Sequence, residues 1–321
     1  MKLKNAVYLV TGGAGFVGSH IVDLLIKENV KKVITLDNLI RGRDENLSTA
    51  KKTGKLQMVE GDIRDQKILK KIFKGVDIVF HQAALRWITC QENPQLAQEV
   101  MVDGTFNVLE ACVKHQVKKL IFASSALVYG EPKRVPIGEN HPLKATTIYG
   151  TAKIANEAMI QAFHSKYNLP YAILRYFNIY GPRMDIDKSK EVMIRWIEAI
   201  EKGQPPAIHG DGKSSFDFIS IEDVARANIL AAKSDLTEGI FNIATGGETT
   251  LSDLSSLLLT LLKSPKSLKQ IYKKEIGSPL PSRRFANIKK AQHELGFKPT
   301  VDLEEGLNRL IEWRKMIQSQ S

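Results

Sequence analysis

Residues 11–18 read Thr11-Gly12-Gly13-Ala14-Gly15-Phe16-Val17-Gly18. An apolar run, Ala6 to Val10, leads into them, and an amphipathic stretch, Val17 to Glu28, leads out. Strand, glycine turn and helix together form the context in which such spaced glycines bind a dinucleotide. Gly12 permits the tight turn. Gly15 lets backbone N–H groups approach a pyrophosphate, and Gly18 lets helix and strand pack closely. The helix N-terminus then faces the phosphates. A plain glycine turn is the simpler alternative, but an acid, Asp37, closes the next apolar run. A carboxylate there binds the adenosine ribose hydroxyls and repels a 2′-phosphate, which favours NAD over NADP. Arg41 and Arg43 nearby pull slightly the other way. Asp62 lies after the third run, either at the adenine edge or as a helix-capping residue of Gly61-Asp62-Ile63-Arg64-Asp65.

Outward from this motif the pattern repeats. Val33 to Leu36, Leu56 to Val59, Val76 to Phe80, Leu120 to Ala123 and Ala172 to Tyr176 are continuous and rich in β-branched residues. Parallel strands covered on both faces have this composition. Helical patterns separate them. One runs from Pro94 to Lys114, with its apolar stripe at Val100, Phe106, Val108, Leu109 and Ala111, and another from about Thr147 to Tyr167. The alternation predicts an α/β fold with a doubly wound parallel Rossmann sheet. The pattern changes after Tyr180. A helix is predicted to about Lys202, then one opened by a capping box at Ser220 and Asp223, then Leu251 to Leu262 and Leu303 to Met316. The division is therefore residues 1–178 as a cofactor domain and 179–321 as a smaller mixed α/β substrate domain, with some segments returning to the first.

Composition narrows the function. No apolar run approaches the ~20 residues that span a bilayer, and the first run meets the glycine motif without a signal-peptide cleavage site. Cys90 and Cys112 have neither a disulfide framework nor metal-ligand spacing, so no metal is expected and a reducing cytoplasm fits. The formal charge is +11. It suits an anionic ligand, but the lysines are scattered (Lys31, Lys51, Lys70, Lys118) without the aromatic-laced basic stripe of a nucleic-acid binder.

Chemistry is carried by Tyr149-Gly150-Thr151-Ala152-Lys153. Positions i and i+4 share a helix face. An ammonium beside a phenol lowers the phenol pKa from its reference of ~10, which would let Tyr149 act as a base. Alone the spacing is common. Here it follows Ser124 and Ser125, which end the fifth strand at the edge where such sheets bind ligands.

Together these residues resemble the extended short-chain dehydrogenase/reductase family, specifically its nucleotide-sugar epimerases and dehydratases. The resemblance covers nearly the whole chain: TGGAGFVGSH, LDNL, GDIRD, HQAAL, SSALVYG, YGTAK, LRYFNIYGPR, HGDGKSSFDF with IEDVA, and AQHELGFKP, in order. It implies Ser125, Tyr149 and Lys153 as catalytic residues. It implies cofactor contacts from Phe16, Val17, Asp37, Asn38, Asp62, Ile63, Ala83 and Ala84, and from Tyr176 near the nicotinamide. Asn178 matches a substrate-diphosphate contact, and Arg86 and Arg284 complete the expected substrate set with Ser125 and Tyr149. The expected ligands are NAD and a nucleotide-diphosphate sugar, most readily a UDP-sugar.

The family's dehydratases carry an Asp-Glu pair directly after the catalytic Ser/Thr. Ala126 and Leu127 stand there and can move no proton, so the resemblance points to 4-epimerisation through a 4-keto sugar. A dehydratase, decarboxylase or reductase on the same scaffold is the alternative, and a non-catalytic NAD-binding protein is the alternative of another class. Three residues depart from the pattern. Phe216 replaces a diphosphate-binding arginine, Met101 replaces an asparagine, and Arg284 stands where a gate residue limits the sugar. Arg283 or Arg284 is expected to meet phosphate or a sugar carboxylate, or else to be solvated. The family also implies a homodimer through helices around Val100 to Val113 and Ala152 to His164, with Ala152, Ala155 and Ala158 allowing close approach.

Overall fold

The apolar runs become strands β1 (Val7–Thr11), β2 (Lys32–Asp37), β3 (Leu56–Glu60), β4 (Ile78–His81), β5 (Lys119–Ser125) and β6 (Tyr171–Tyr176). The computed structural model describes residues 5–28, 30–184, 191–274 and 282–319. Short strands β7 (Asn178–Tyr180), β8 (Ser215–Phe216) and β9 (Phe218–Ser220) follow, then β10 (Ile240–Ile243), β11 (Thr249–Thr250) and β12 (Arg283–Arg284). Seven strands form one sheet in the order β10-β6-β5-β4-β1-β2-β3, with every neighbouring pair parallel. Strand order reverses between β1 and β4, so this Rossmann-like sheet has its ligand crevice at their carboxyl ends.

Helices cover both faces. On one side α1 (Phe16–Lys27) buries Ile21, Val22 and Leu25 against Val10, Phe80 and Ile121. On the other, Val108, Leu109 and Cys112 of α3 (Gly104–Lys114) and Ile160 of α4 (Ile148–Tyr167) pack on Leu9, Val79 and Leu120. Both cysteines are buried and free. Between β3 and β4, α2 (Gln66–Ile72) is capped by Asp65, which accepts from the N–H groups of Lys67 and Ile68. Asp62 is not the cap.

A second core lies outside the sheet. Tyr180, Trp196 and Ile197 of α5 (Val192–Glu201), Leu254 and Leu258 of α7 (Leu251–Leu261), and Leu307 and Leu310 of α8 (Leu303–Gln318) form it. Between these segments the chain returns to the sheet. The helix α6 (Ile221–Lys233) packs on α1, and β10 pairs with β6. No helix of the described residues is long and apolar enough to cross a membrane.

Two local expectations are corrected. Phe106 is 41% exposed and meets Phe163 edge-on, at 5.8 Å between ring centres. A π-helical turn, Gln98–Asp103, precedes it; Val108, Leu109 and Ala111 stay packed with Val100, and Phe106 is the member of the expected stripe that turns outward. At α6, Ser220 caps as expected by accepting from Glu222 N–H at 3.2 Å. Asp223 does not reciprocate; its carboxylate accepts from the backbone N–H groups of Thr300 and Val301 and ties the C-terminal segment down.

Candidate functional site

Register sets the strand ends level. Thr11 lies opposite His81, and Ser125 opposite Tyr176. Above them runs a cleft of about 420 Å³. Its walls contain Gly12, Gly15, Phe16, Val17, Gly18, Asp37, Asn38, Asp62, Ile63, Ala83, Ala84, Arg86, Ser125, Tyr149, Lys153 and Tyr176. The sequence expectations for cofactor and catalysis thus converge on one cavity. Asn178 and Arg284 are not among the residues that line it.

At one end the glycine turn is shaped by sterics. Gly12 has φ +67°, and a Cβ there would stand 2.8 Å from the Ala83 backbone nitrogen. A Cβ on Gly18 would stand 2.1 Å from the Gly12 carbonyl oxygen. No side chain caps the start of α1, so its leading N–H groups are available to an anion. Asp37 accepts from Ala14 N–H at 2.9 Å and Leu39 N–H at 3.0 Å. Burial raises its pKa, and N–H groups from Leu39, Ala14 and Gly15 oppose the rise. Asp62 receives Asn38 Nδ2 at 3.1 Å and the Arg64 side chain at 3.0 Å. Burial raises the Asp62 pKa less than these donors lower it.

At the centre, Thr147 caps α4 by accepting from Gly150 N–H at 3.0 Å, which sets Tyr149 on the first turn and Lys153 on the second. Tyr149 hydrogen-bonds Ser125, while Ser125 Oγ also accepts from Leu127 N–H at 3.2 Å. Lys153 is 2% exposed. Its Nζ donates to the Ala123 carbonyl at 2.6 Å and lies 5.6 Å from the Tyr149 ring centre. The expected lowering of the phenol by Lys153 is therefore corrected. Burial pushes Tyr149 up, and only Ser125 and Arg41 pull it back. Burial also brings Lys153 down to about 8, against Cys90 and Glu157. Desolvation favours the neutral form of each.

Behind these groups stands a paired wall that the sequence reading missed. Ser124 Oγ donates to Glu157 Oε1 at 2.5 Å. Arg175 grips the same carboxylate through Nε at 3.0 Å and Nη2 at 2.6 Å. Its Nη1 reaches Tyr129 Oη at 2.8 Å and the Glu139 carbonyl at 2.9 Å. The available signal was position: Glu157 follows Lys153 by one helical turn. His81 was missed too. It bridges Thr11 Oγ1 at 2.6 Å and Thr105 Oγ1 at 3.0 Å, and burial takes its pKa down to about 3, with Lys153 adding to the fall.

On the substrate side, Arg86 pairs with Glu191 at 2.6 Å. Asn178 donates to the Asp217 carbonyl at 3.1 Å and accepts from Arg284 at 2.9 Å.

The sequence pattern of the NAD dependent epimerase/dehydratase family matches residues 8–244. The chain belongs to that family. A Methanocaldococcus jannaschii protein carrying the provisional name UDP-glucose 4-epimerase is 41% identical over 96% of this chain and 98% of its own. The UDP-glucose 4-epimerase of Thermotoga maritima, solved with UDP-glucose, superposes with a TM-score of 0.90 at 35% identity. The alignment covers 97% of this chain and 99% of that one. A UDP-N-acetylglucosamine 4-epimerase of Methanobrevibacter ruminantium, solved with UDP-N-acetylmuramic acid, gives 0.91 at 36% over 99% and 100%. Less similar relatives are named as decarboxylases and dehydratases. The family's cofactor is NAD, and the residues fit it. An uncapped helix start suits a pyrophosphate, and a buried carboxylate at the end of β2 suits ribose hydroxyls.

Proposed function

We propose that this chain interconverts the C4 epimers of a nucleotide-diphosphate sugar, most readily a UDP-sugar. The observation that carries the reading is the juxtaposition of Ser125, Tyr149 and Lys153 in the cleft, with Ala126 and Leu127 next to Ser125. The trio can remove and return one hydroxyl proton. No carboxylate follows Ser125 to drive loss of water, so the reaction closes on itself.

Bound NAD supplies a reversible acceptor for the C4 hydride. Gly12, Gly15, Gly18 and the start of α1 would hold its pyrophosphate, and Asp37 its adenosine ribose. Tyr149 takes the proton of the C4 hydroxyl. Ser125, already bonded to Tyr149, hydrogen-bonds the same oxygen and steadies the developing carbonyl. Lys153, anchored on the Ala123 carbonyl at 2.6 Å, would hold the nicotinamide ribose. Tyr149 returns the proton after the sugar turns over. Uncovering the released cofactor by denaturing purified protein, and incubating native protein with UDP- and dTDP-sugars, tests this reading. NAD in the supernatant and a C4 epimer as sole product are expected; a dehydrated or decarboxylated product overturns it.

The assembly proposed is a homodimer through α3 and α4. A surface hollow of about 720 Å³ lies there, lined by Phe106, Phe163 and Tyr167 and by none of the trio. Phe106 and Tyr167 are over 40% exposed, an apolar patch that a second copy would cover. Of the small residues, Ala158 is exposed, Ala155 half-buried and Ala152 buried within the subunit. Light scattering at micromolar concentration should give twice the chain mass; a monomer mass overturns the dimer.

A further inference from the structure

The helix α6 turns a mostly apolar face of alanine, valine and isoleucine into the fold. Two polar side chains, Asp223 and Asn228, interrupt the buried set. Asp223 is spent on the backbone of Thr300 and Val301. Asn228 is 0% exposed, and two of its partners are side chains of the cleft. Its Nδ2 donates to Tyr176 Oη at 2.8 Å and to the Val224 carbonyl at 2.8 Å. Its Oδ1 accepts from Gln82 Nε2 at 3.2 Å. Tyr176 Oη stands 3.2 Å from Gln82 Oε1 and 3.0 Å from Asn228 Oδ1, and donates its single proton to one of them. Each of the three side chains thus meets the other two.

The triad spans the strand that ends in Ser125. Tyr176 ends β6 and Gln82 follows β4, the strands on either side of β5. Tyr176 lies opposite Ser125 in register. Tyr176 and Gln82 line the cleft, and Asn228 does not. Burial pushes the Tyr176 pKa up, against the pull of Asn228 and Gln82, so the hydroxyl keeps its proton at neutral pH. Core packing alone would be served as well by apolar groups of the same shape. Apolar groups cannot fix the rotation of a phenol and an amide. A satisfied polar network does so, and such networks make a buried region rigid.

We propose that Asn228 is a positioning residue for the nicotinamide end of the cofactor. The glycine turn and Asp37 would take the pyrophosphate and the adenosine. Tyr176 and Gln82, beside Ser125, form a wall at the other end. Asn228 holds both side chains of that wall in one pose from the helix layer. This role needs NAD, the family's cofactor, and does not need the epimerase reading.

The test uses the purified, NAD-loaded full chain as wild type, Asn228→Leu, Tyr176→Phe and the double variant. Graded ADP-ribose, which lacks only the nicotinamide, displaces the bound NAD, and the free NAD is measured. The concentration that displaces half of it reports the preference for NAD over ADP-ribose. A general loss of cofactor affinity leaves that preference where it was. Asn228→Leu should lower it about tenfold, the size of one lost buried hydrogen bond. Tyr176→Phe keeps the aromatic face, removes the hydroxyl and should lower it similarly. The double variant should fall no further than the lower single variant, because members of one network do not act additively. An unchanged preference in Asn228→Leu makes Asn228 a scaffold residue and overturns the proposal. Additive losses in the double variant overturn it too, and so does a wild type that holds ADP-ribose as tightly as NAD. If Asn228→Leu does not fold, Tyr176→Phe decides, and an unchanged preference there overturns the proposal. No turnover enters the measurement. A preference that depends on Asn228 in a protein that converts no UDP-sugar sustains the proposal and sinks only the epimerase reading.

Discussion

Arg175 and Arg284 are buried almost equally, at 2% and 5% exposed, and neither lines the cleft itself. The wall behind the catalytic helix gives Arg175 a bidentate carboxylate, a phenol and a backbone carbonyl. Among the described residues, Arg284 has one amide oxygen as acceptor, and two of its nitrogens have none. The difference separates two kinds of buried polarity. Where the protein itself consumes every donor, the group holds the fold. Where donors find no acceptor among the described residues, burial is uncompensated and the group costs the fold rather than holding it. Glu157 belongs with the groups that hold the fold, and Tyr149 does not.

The contrast can be broken most sharply at Tyr149. Tyr149→Phe should lower kcat by about 10²–10⁴-fold, the range for a lost general acid–base, with NAD still bound and the melting temperature little changed. Retained activity, or loss of the fold, would put Tyr149 in the wrong class. Arg175→Met should do the reverse. Stranding the Glu157 carboxylate should cost about 3–5 kcal/mol of stability, read by denaturant unfolding. A stable Arg175→Met would erase the distinction from Arg284.

Asp37 sharpens the comparison from the cofactor end. It braces the glycine turn through Ala14 and is the expected ribose ligand. Asp37→Ala should weaken NAD about tenfold or more, as lost charged hydrogen bonds do, and narrow its preference over NADP. Fluorescence titration with both cofactors checks this; an unchanged ratio removes Asp37 from cofactor selection.

The smallest effect is on acid stability. His81 and His20 sit at about 3 and about 4, below their ordinary 6.5, through burial first. Between pH 6.5 and these values the unfolded chain binds protons that the folded chain refuses, so stability falls as pH falls. Both contributions are fully present above pH 6.5. Melting temperature should decline through this window, and less so in His81→Gln; equal slopes would show that His81 is not held neutral.

Much of this was legible in the sequence. Six sheet strands were readable because buried parallel strands are continuous apolar runs. Ile240–Ile243 was not, since four residues carry no period and its partner, β6, lies about 65 residues earlier in the chain. Phe106 was read onto the wrong face because it is apolar, although a residue two positions before Val108 lies about 200° round an α-helix from it. The residues lining the cleft sit in fixed-spacing motifs, and their convergence followed from strand order. The pKa of Tyr149 did not, because spacing from Lys153 says nothing of how completely both groups are desolvated. Nor could sequence separate Arg283 from Arg284: neighbours on a strand face opposite sides, and only packing decides which side is buried.

The central claim is a closed C4 cycle in which Tyr149 moves the proton and nothing of the substrate is lost. A UDP-hexose deuterated at C4, incubated with the enzyme in ordinary water and followed by NMR and mass spectrometry, tests it directly. The account predicts that the epimeric product keeps deuterium at C4. Exchange of the label into solvent, or NADH accumulating in step with product, would contradict it.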